Sequence, residues 1–237
     1  MALSLEKVSA DAPGLVSLYK SARVSLDKRG LGGARVAVYL VLDRSGSMRG
    51  MYRSGAVQHF AERVLALSAT LDDDGRVPVV FFSTAVDGIA ELSVTDYRDR
   101  IAHLHAKLGH MGWTNYHLAM KAVIRHYQQS GSTDPALVVF QTDGGPTSRS
   151  AAQDMLCLAS ELPIYWQFVG FGDPRHAEFA FLRRLDELPV PARRLVDNAG
   201  FFPAGRDPRN VPDADLYDRL LDGFPEWLAS LAGRGIL

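Results

Sequence analysis

The sequence predicts one α/β domain: a doubly wound, mostly parallel central sheet with helices on both faces. Three observations predict it. Apolar runs rich in β-branched residues alternate along the chain with segments whose apolar residues recur at helical spacing. The runs are too continuously apolar to leave one face wet, as strands covered on both sides require. Several of them end in short loops of Gly, Asp, Ser and Thr, and a parallel sheet carries its ligand site beyond the carboxyl ends of its strands.

After a polar opening, Leu15, Leu18, Tyr19, Ala22 and Leu26 mark an amphipathic helix that ends near Gly30. Residues 1–33 read as a helical extension packed on a domain of residues 34–237. Arg35 to Leu42 is the first buried strand and runs into the turn Asp43-Arg-Ser-Gly-Ser-Met48. Val57, Phe60, Val64, Leu67 and Leu71 mark a helix from about Arg53, stopped by Asp72-Asp-Asp-Gly75. Strands are expected over Val77 to Phe82 and, shorter, around Val86 to Leu92. Tyr97 to Leu108 and Tyr116 to Gln129 read as helices on either side of the loop Gly109 to Asn115. Ala136 to Gln141 is a buried strand that ends in Thr142-Asp-Gly-Gly-Pro146. A helix over Ser150 to Leu162 leads to a strand over Ile164 to Val169 and the loop Gly170 to Pro174. The rest reads as a helix near His176 to Leu188, a short strand near Arg193 to Val196, and a helical stretch from Asp213 to Leu231 broken at Gly223-Phe-Pro225.

A chain of 237 residues, 47% hydrophobic, can bury one large core. Its 26 basic and 27 acidic side chains leave a formal charge of -1, so there is no basic surplus for nucleic acid or anionic lipid. No apolar stretch approaches the roughly 18 to 20 residues of a membrane span, and the first residues lack the pattern of a signal peptide. A single cysteine, Cys157, cannot form an internal disulfide and reads as a small buried hydrophobe. The expectation is a soluble, cytoplasmic protein.

Three loops hold short oxygen-bearing side chains. The first has Asp43, Ser45 and Ser47 at alternate positions, the second Thr114, and the third Asp143 before Gly144-Gly145. Hard cations such as Mg²⁺ or Ca²⁺ take oxygen ligands, and Mg²⁺ keeps several waters while using few carboxylates. Two carboxylates and three hydroxyls leave such an ion poorly neutralised wherever contacts run through water. It would then draw a carboxylate from outside, which makes it a bridge to an acidic partner residue.

Asp43-x-Ser45-x-Ser47, a distant Thr114 and Asp143-Gly144 resemble the metal-ion-dependent adhesion site of von Willebrand factor A (vWA) domains. The resemblance implies the Rossmann-like vWA fold and one divalent cation, Mg²⁺ first, with Ca²⁺ or Mn²⁺ as alternatives. It implies that Ser45, Ser47 and Thr114 contact the ion, that Asp43 and Asp143 do so directly or through water, and that a partner's acidic side chain completes the shell. A closer resemblance is to the vWA proteins of bacterial tellurium resistance (Ter). It is carried by Leu15-Val-Ser-Leu-Tyr-Lys-Ser-Ala22, Val24-Ser-Leu-Asp-Lys28, Val41-Leu-Asp-Arg-Ser-Gly-Ser-Met48, Glu62-Arg-Val-Leu65 and Asp72-Asp-Asp-Gly75. This implies a non-enzymatic protein-interaction module of a stress or tellurite-resistance system, with other Ter proteins among its partners and a place at the inner membrane face. One departure is Gly145-Pro146, where an acidic residue often follows Asp-Gly in integrin-like relatives.

Plainer readings stand beside these. Asp43, Ser45 and Ser47 also suit the cap of a following helix. Asp72 to Gly75 lacks the alternating ligands of a calcium loop and reads as a solvated turn. His103 and His105 diverge on a helix, which argues against zinc with His110. Arg44, Trp113 and Asn115 are candidate partner contacts; Arg44 equally suits a solvated surface and Trp113 a place against the sheet. A hydrolase or phosphotransferase using the same ion as Lewis acid is the rival from another class, with His110 or His117 as base. No phosphate loop, nucleophile elbow or His-Glu-x-x-His supports an enzyme.

Overall fold

The computed structural model describes residues 2–190 and 192–233; residues 1 and 237, the outer bounds of the two expected units, lie outside these. Six strands form one sheet: β1 Ala37–Asp43, β2 Arg76–Phe82, β3 Val86–Ser93, β4 Ala136–Thr142, β5 Ile164–Phe171 and β6 Ala199–Gly205. Their order is β3-β2-β1-β4-β5-β6. Every neighbouring pair is parallel except the edge pair β2 and β3. The expected doubly wound, mostly parallel sheet is the observed one.

Helices α1 Leu5–Asp11, α2 Val16–Lys28, α3 Arg49–Arg53, α4 Ala56–Ala69, α5 Arg100–Lys107, α6 Tyr116–Ser130, α7 Arg149–Ala159, α8 Phe179–Asp186, α9 Asp213–Leu220 and α10 Phe224–Ala232 surround it. Alternation along the strands divides the core into two layers. Val38, Leu40 and Leu42 of β1 face one layer with Leu18, Phe60, Leu216 and Trp227 of α2, α4, α9 and α10. Tyr39 and Val41 face the other, with Tyr116, Leu156 and Leu182 of α6, α7 and α8. Each buried Leu or Phe is worth about 1.5–3 kcal/mol, so the two layers supply the main stabilisation.

Two elements differ from expectation. Arg193 to Val196 is an irregular segment, not a strand; the edge strand is β6, Ala-Gly-Phe-Phe-Pro-Ala-Gly. Its two glycines and Pro203 read as turn residues, yet an edge strand tolerates a proline because one side of its backbone needs no ladder partner. The polar opening holds α1, whose N-cap Ser4 accepts a hydrogen bond from the Lys7 N–H and which buries only Val8. Among the described residues no helix is long and apolar enough to cross a membrane.

Candidate metal centre

The strand order reverses between β1 and β4, and a doubly wound sheet opens a crevice at that point. Asp43 ends β1 and Thr142 ends β4, so the switch point sets the first and third candidate loops side by side. The loop after β1 leaves the strand through an extended Ser45 and turns into a short 3₁₀ segment over Gly46–Met48. The second loop is bonded to it: Ser45 bridges Gly112, and the Gly46 N–H donates to the Gly112 carbonyl at 3.1 Å. Thr114 is tied to the third loop, its N–H donating to Thr147 Oγ1 at 3.2 Å and its carbonyl accepting from the Thr147 N–H at 2.8 Å. Gly112 is needed sterically, since a Cβ there would stand 2.2 Å from Thr84 Oγ1.

Ser47, Thr114 and Asp143 line one open cleft of about 530 Å³. Ser47 Oγ donates to Asp143 Oδ1 at 2.9 Å, Ser45 Oγ stands 3.1 Å from Ser47 Oγ, and Ser45 Oγ lies 3.5 Å from Asp143 Oδ1. Adjacent ligands of an octahedral ion with bonds of about 2.1 Å stand about 3 Å apart, so this triangle fits one face of such a shell. Asp43 lies beneath it, fully buried. Its Oδ1 accepts from the Ser45 N–H and its Oδ2 from the Thr142 hydroxyl, both at 2.6 Å. Asp43 therefore fixes the loop, and each of its oxygens keeps a further lone pair with which it could meet an ion directly or through water.

Burial first, then the charge of Asp143, pushes the Asp43 carboxyl up to about 7. Burial likewise raises Asp143, against the lowering effect of the Ser47 hydroxyl. Two carboxylates crowded at one strand end, one of them fully buried, favour an added cation, although His176 in the same cleft eases Asp143 slightly. Among the described residues no cluster of three or more His, Cys, Asp or Glu could hold a metal, so the candidate donors are carboxylate plus hydroxyl. That donor chemistry suits a hard ion with retained waters and does not suit zinc.

The other sequence candidates fall in different places. Arg44 neither reaches outward nor stands in solvent; it is 1% exposed. Its guanidinium bonds Asp87 at 2.8 Å, His105 Nδ1 at 3.1 Å and the Gly109 carbonyl at 2.9 Å, which locks the second loop to the first. Trp113 is 73% exposed beside Thr114, not packed on the sheet. Asn115 gives its side-chain amide to the Thr84 carbonyl at 2.8 Å. His110 and His117 do not line the cleft, whereas His176, Glu178 and Asp173 do. Cys157 is only partly buried.

Sequence reasoning missed Thr142, whose hydroxyl accepts from Tyr116 and donates to Asp43. Its place next to Asp143 was the available signal. It also missed Glu178, whose Oε2 would stand 3.1 Å from a Cβ at Gly145. Glu178, from the start of α8, thus brings a carboxylate close to where a side chain at 145 would begin, and no local pattern announces it.

The fold and this loop arrangement define a vWA-type domain. Among solved structures, the manganese-loaded TRAP protein of Plasmodium vivax is similar with a TM-score of 0.52 and 18% identity, over 81% of this chain and 73% of that one. Proximal thread matrix protein 1 of the mussel byssus is similar with a TM-score of 0.56 and 13% identity, over 80% and 47%. At those identities the likeness shows the fold alone. In sequence, the chain is 35% identical to the uncharacterised protein YcbR of Bacillus subtilis (strain 168), over 92% of this chain and 88% of that one. The family described as "vWA found in TerF C terminus" matches residues 35–237. The chain belongs to this vWA-TerF-like family.

Proposed function

We propose that the domain holds one divalent cation, Mg²⁺ with Mn²⁺ and Ca²⁺ as alternatives, and uses it to bind an acidic side chain of a partner protein in a bacterial stress or tellurite-resistance system. The observation that carries this reading is the triangle of Ser45, Ser47 and Asp143 oxygens, 2.9–3.5 Å apart, of which Ser47 and Asp143 line an open cleft. Asp43, Ser45, Ser47, Thr114 and Asp143 are the residues to hold the ion, Asp43 directly or through water while it also sets the loop. The ion supplies an electrophilic point that accepts a carboxylate oxygen. Trp113, exposed beside Thr114, offers the partner an aromatic contact. The family description names TerF, and the TRAP relative carries manganese; both agree with the reading.

The rival reading, a metal-assisted hydrolase, draws on His176 and Glu178 in the same cleft, which offer a base that His110 and His117 do not. We favour binding because the neutral hydroxyls leave the charge of an ion open to an outside carboxylate.

Calorimetric titration of metal-stripped protein with Mg²⁺, Mn²⁺ and Ca²⁺ tests the site. One equivalent should bind, and Ser47→Ala should weaken it by about tenfold or more, the loss of one ion contact. Absence of binding by all three ions would overturn the reading. Capture of Ter-type proteins that disappears on adding chelator tests the partner; phosphoester turnover would favour the rival.

A further inference from the structure

A second cleft, of about 620 Å³, opens at the β6 edge of the sheet. It lies along the first half of β5, at Tyr165 and Gln167, whereas the candidate metal loops sit at the opposite ends of the strands. Four carboxylates line it, Asp186, Asp197, Asp222 and Glu226, against the single guanidinium of Arg219. Arg194, buried nearby, pairs with Asp197 at 2.9 Å but donates to the backbone carbonyls of Asp186 and Leu188. Asp186 and Asp222 therefore have no ion-pair partner among the described residues. Burial, then the charge of Asp197, pushes Asp186 up to about 6.

Two buried groups at this cleft are also unanswered. Gln167 is 1% exposed, and its side-chain oxygen has no hydrogen-bond partner among the described residues. That amide lies over Gly200, where a Cβ would come within 2.8 Å of it. The indole N–H of Trp227, 2% exposed, is likewise unpartnered. Trp227 and Tyr165 form one wall, their rings 5.4 Å apart. The carboxylates are not arranged to hold a metal among the described residues. What answers the carboxylates and the Gln167 oxygen together is a positively charged hydrogen-bond donor on an organic frame, which the faces of the aromatic rings also attract.

We propose that this cleft binds an ammonium or guanidinium group, with Asp186 and Asp222 taking its charge, Gln167 supplying an acceptor and Tyr165 and Trp227 covering its alkyl part. The group belongs either to a free amine or to a basic side chain of a peptide. Three of the four carboxylates, Asp186, Asp222 and Glu226, have no ion-pair partner among the described residues, and Asp186 is the half-buried one, so a cation entering the cleft meets negative charge that the chain leaves unanswered.

The test is calorimetry on the full chain with putrescine, arginine and short Lys- or Arg-containing peptides, beside acetate and glycerol as anionic and neutral controls. The cations should bind and the controls should not, and Asp186→Asn with Asp222→Asn should weaken binding about tenfold or more. Binding of the free amines at least as tight as that of the peptides assigns a small molecule, and binding by peptides alone assigns a protein partner. Should the double variant fail to fold, Glu226→Gln, at an exposed position on α10, should still weaken binding about two- to threefold. No binding of any cation at millimolar concentration, or binding unchanged in these variants, would overturn the proposal.

Discussion

Carboxylates gather at two places on this sheet, and the two places are built in opposite ways. At the β1–β4 switch point, each oxygen of Asp43 receives a hydrogen bond at 2.6 Å and Asp143 receives the Ser47 hydroxyl at 2.9 Å. At the β6 edge, Asp186 and Asp222 face a cleft with neither an ion pair nor a fixed donor on their side chains among the described residues. The first arrangement is organised by the chain itself, through three loops bonded to each other. The second is organised only by the backbone that carries it. A count of acidic residues does not separate them; the donors around the oxygens do.

The comparison breaks most sharply at Arg44, which ties the loops of the first place together from below. Arg44→Ala leaves Asp87 half-buried without its guanidinium and should cost about 3–5 kcal/mol, read as a lowered denaturation midpoint. A loss under about 1 kcal/mol would mean that the loops are not held by this residue. Next, a cation added at about 100 times its dissociation constant should stabilise metal-stripped protein by about 2.7 kcal/mol, and Asp43→Ala should lose that gain in a thermal melt. An equal gain in the variant would show that Asp43 does not set the cleft.

Gly112→Ala should cost about 1–3 kcal/mol through its clash with Thr84. Thr84→Ala, which removes that hydroxyl, should restore part of the loss, and an unaffected Gly112→Ala would sink the steric account. The smallest effect belongs to the second place. Asp186 keeps its proton to about pH 6 in the folded chain, against an ordinary value of 3.8. Its ionised form is the one the fold disfavours, so this contribution to stability falls as pH rises from about 4 through 6. Asp186→Asn should remove that fall and raise the melting temperature at pH 7 by a few degrees; a lowered one would mean that the carboxylate is engaged after all.

Much of this was legible in the sequence, for physical reasons. β1, β4 and β5 are buried on both faces, so their composition is forced to be apolar and their ends stand out. Asp43, Ser45, Ser47, Thr114 and Asp143 were legible because chemistry at a strand end needs short oxygen-bearing side chains, though Thr114 is held near the others only by bonds between loops. β6 was not, because an edge strand pairs on one side and tolerates Gly200, Pro203 and Gly205. Arg44 was misread because burial of a guanidinium depends on Asp87, His105 and Gly109 meeting it, and all three are distant in sequence. Glu178 was missed because its approach to Gly145 is made by packing of α8.

Trp113 has one further consequence. The chain has three tryptophans; Trp166 and Trp227 are at most 2% exposed, while Trp113 is 73% exposed next to Thr114. The protein's ultraviolet emission therefore carries a red, quencher-accessible component that comes from the rim of the candidate cleft alone. Anything that settles on that rim should shift the component to the blue and shield it from acrylamide, so the domain reports its own occupancy without a label.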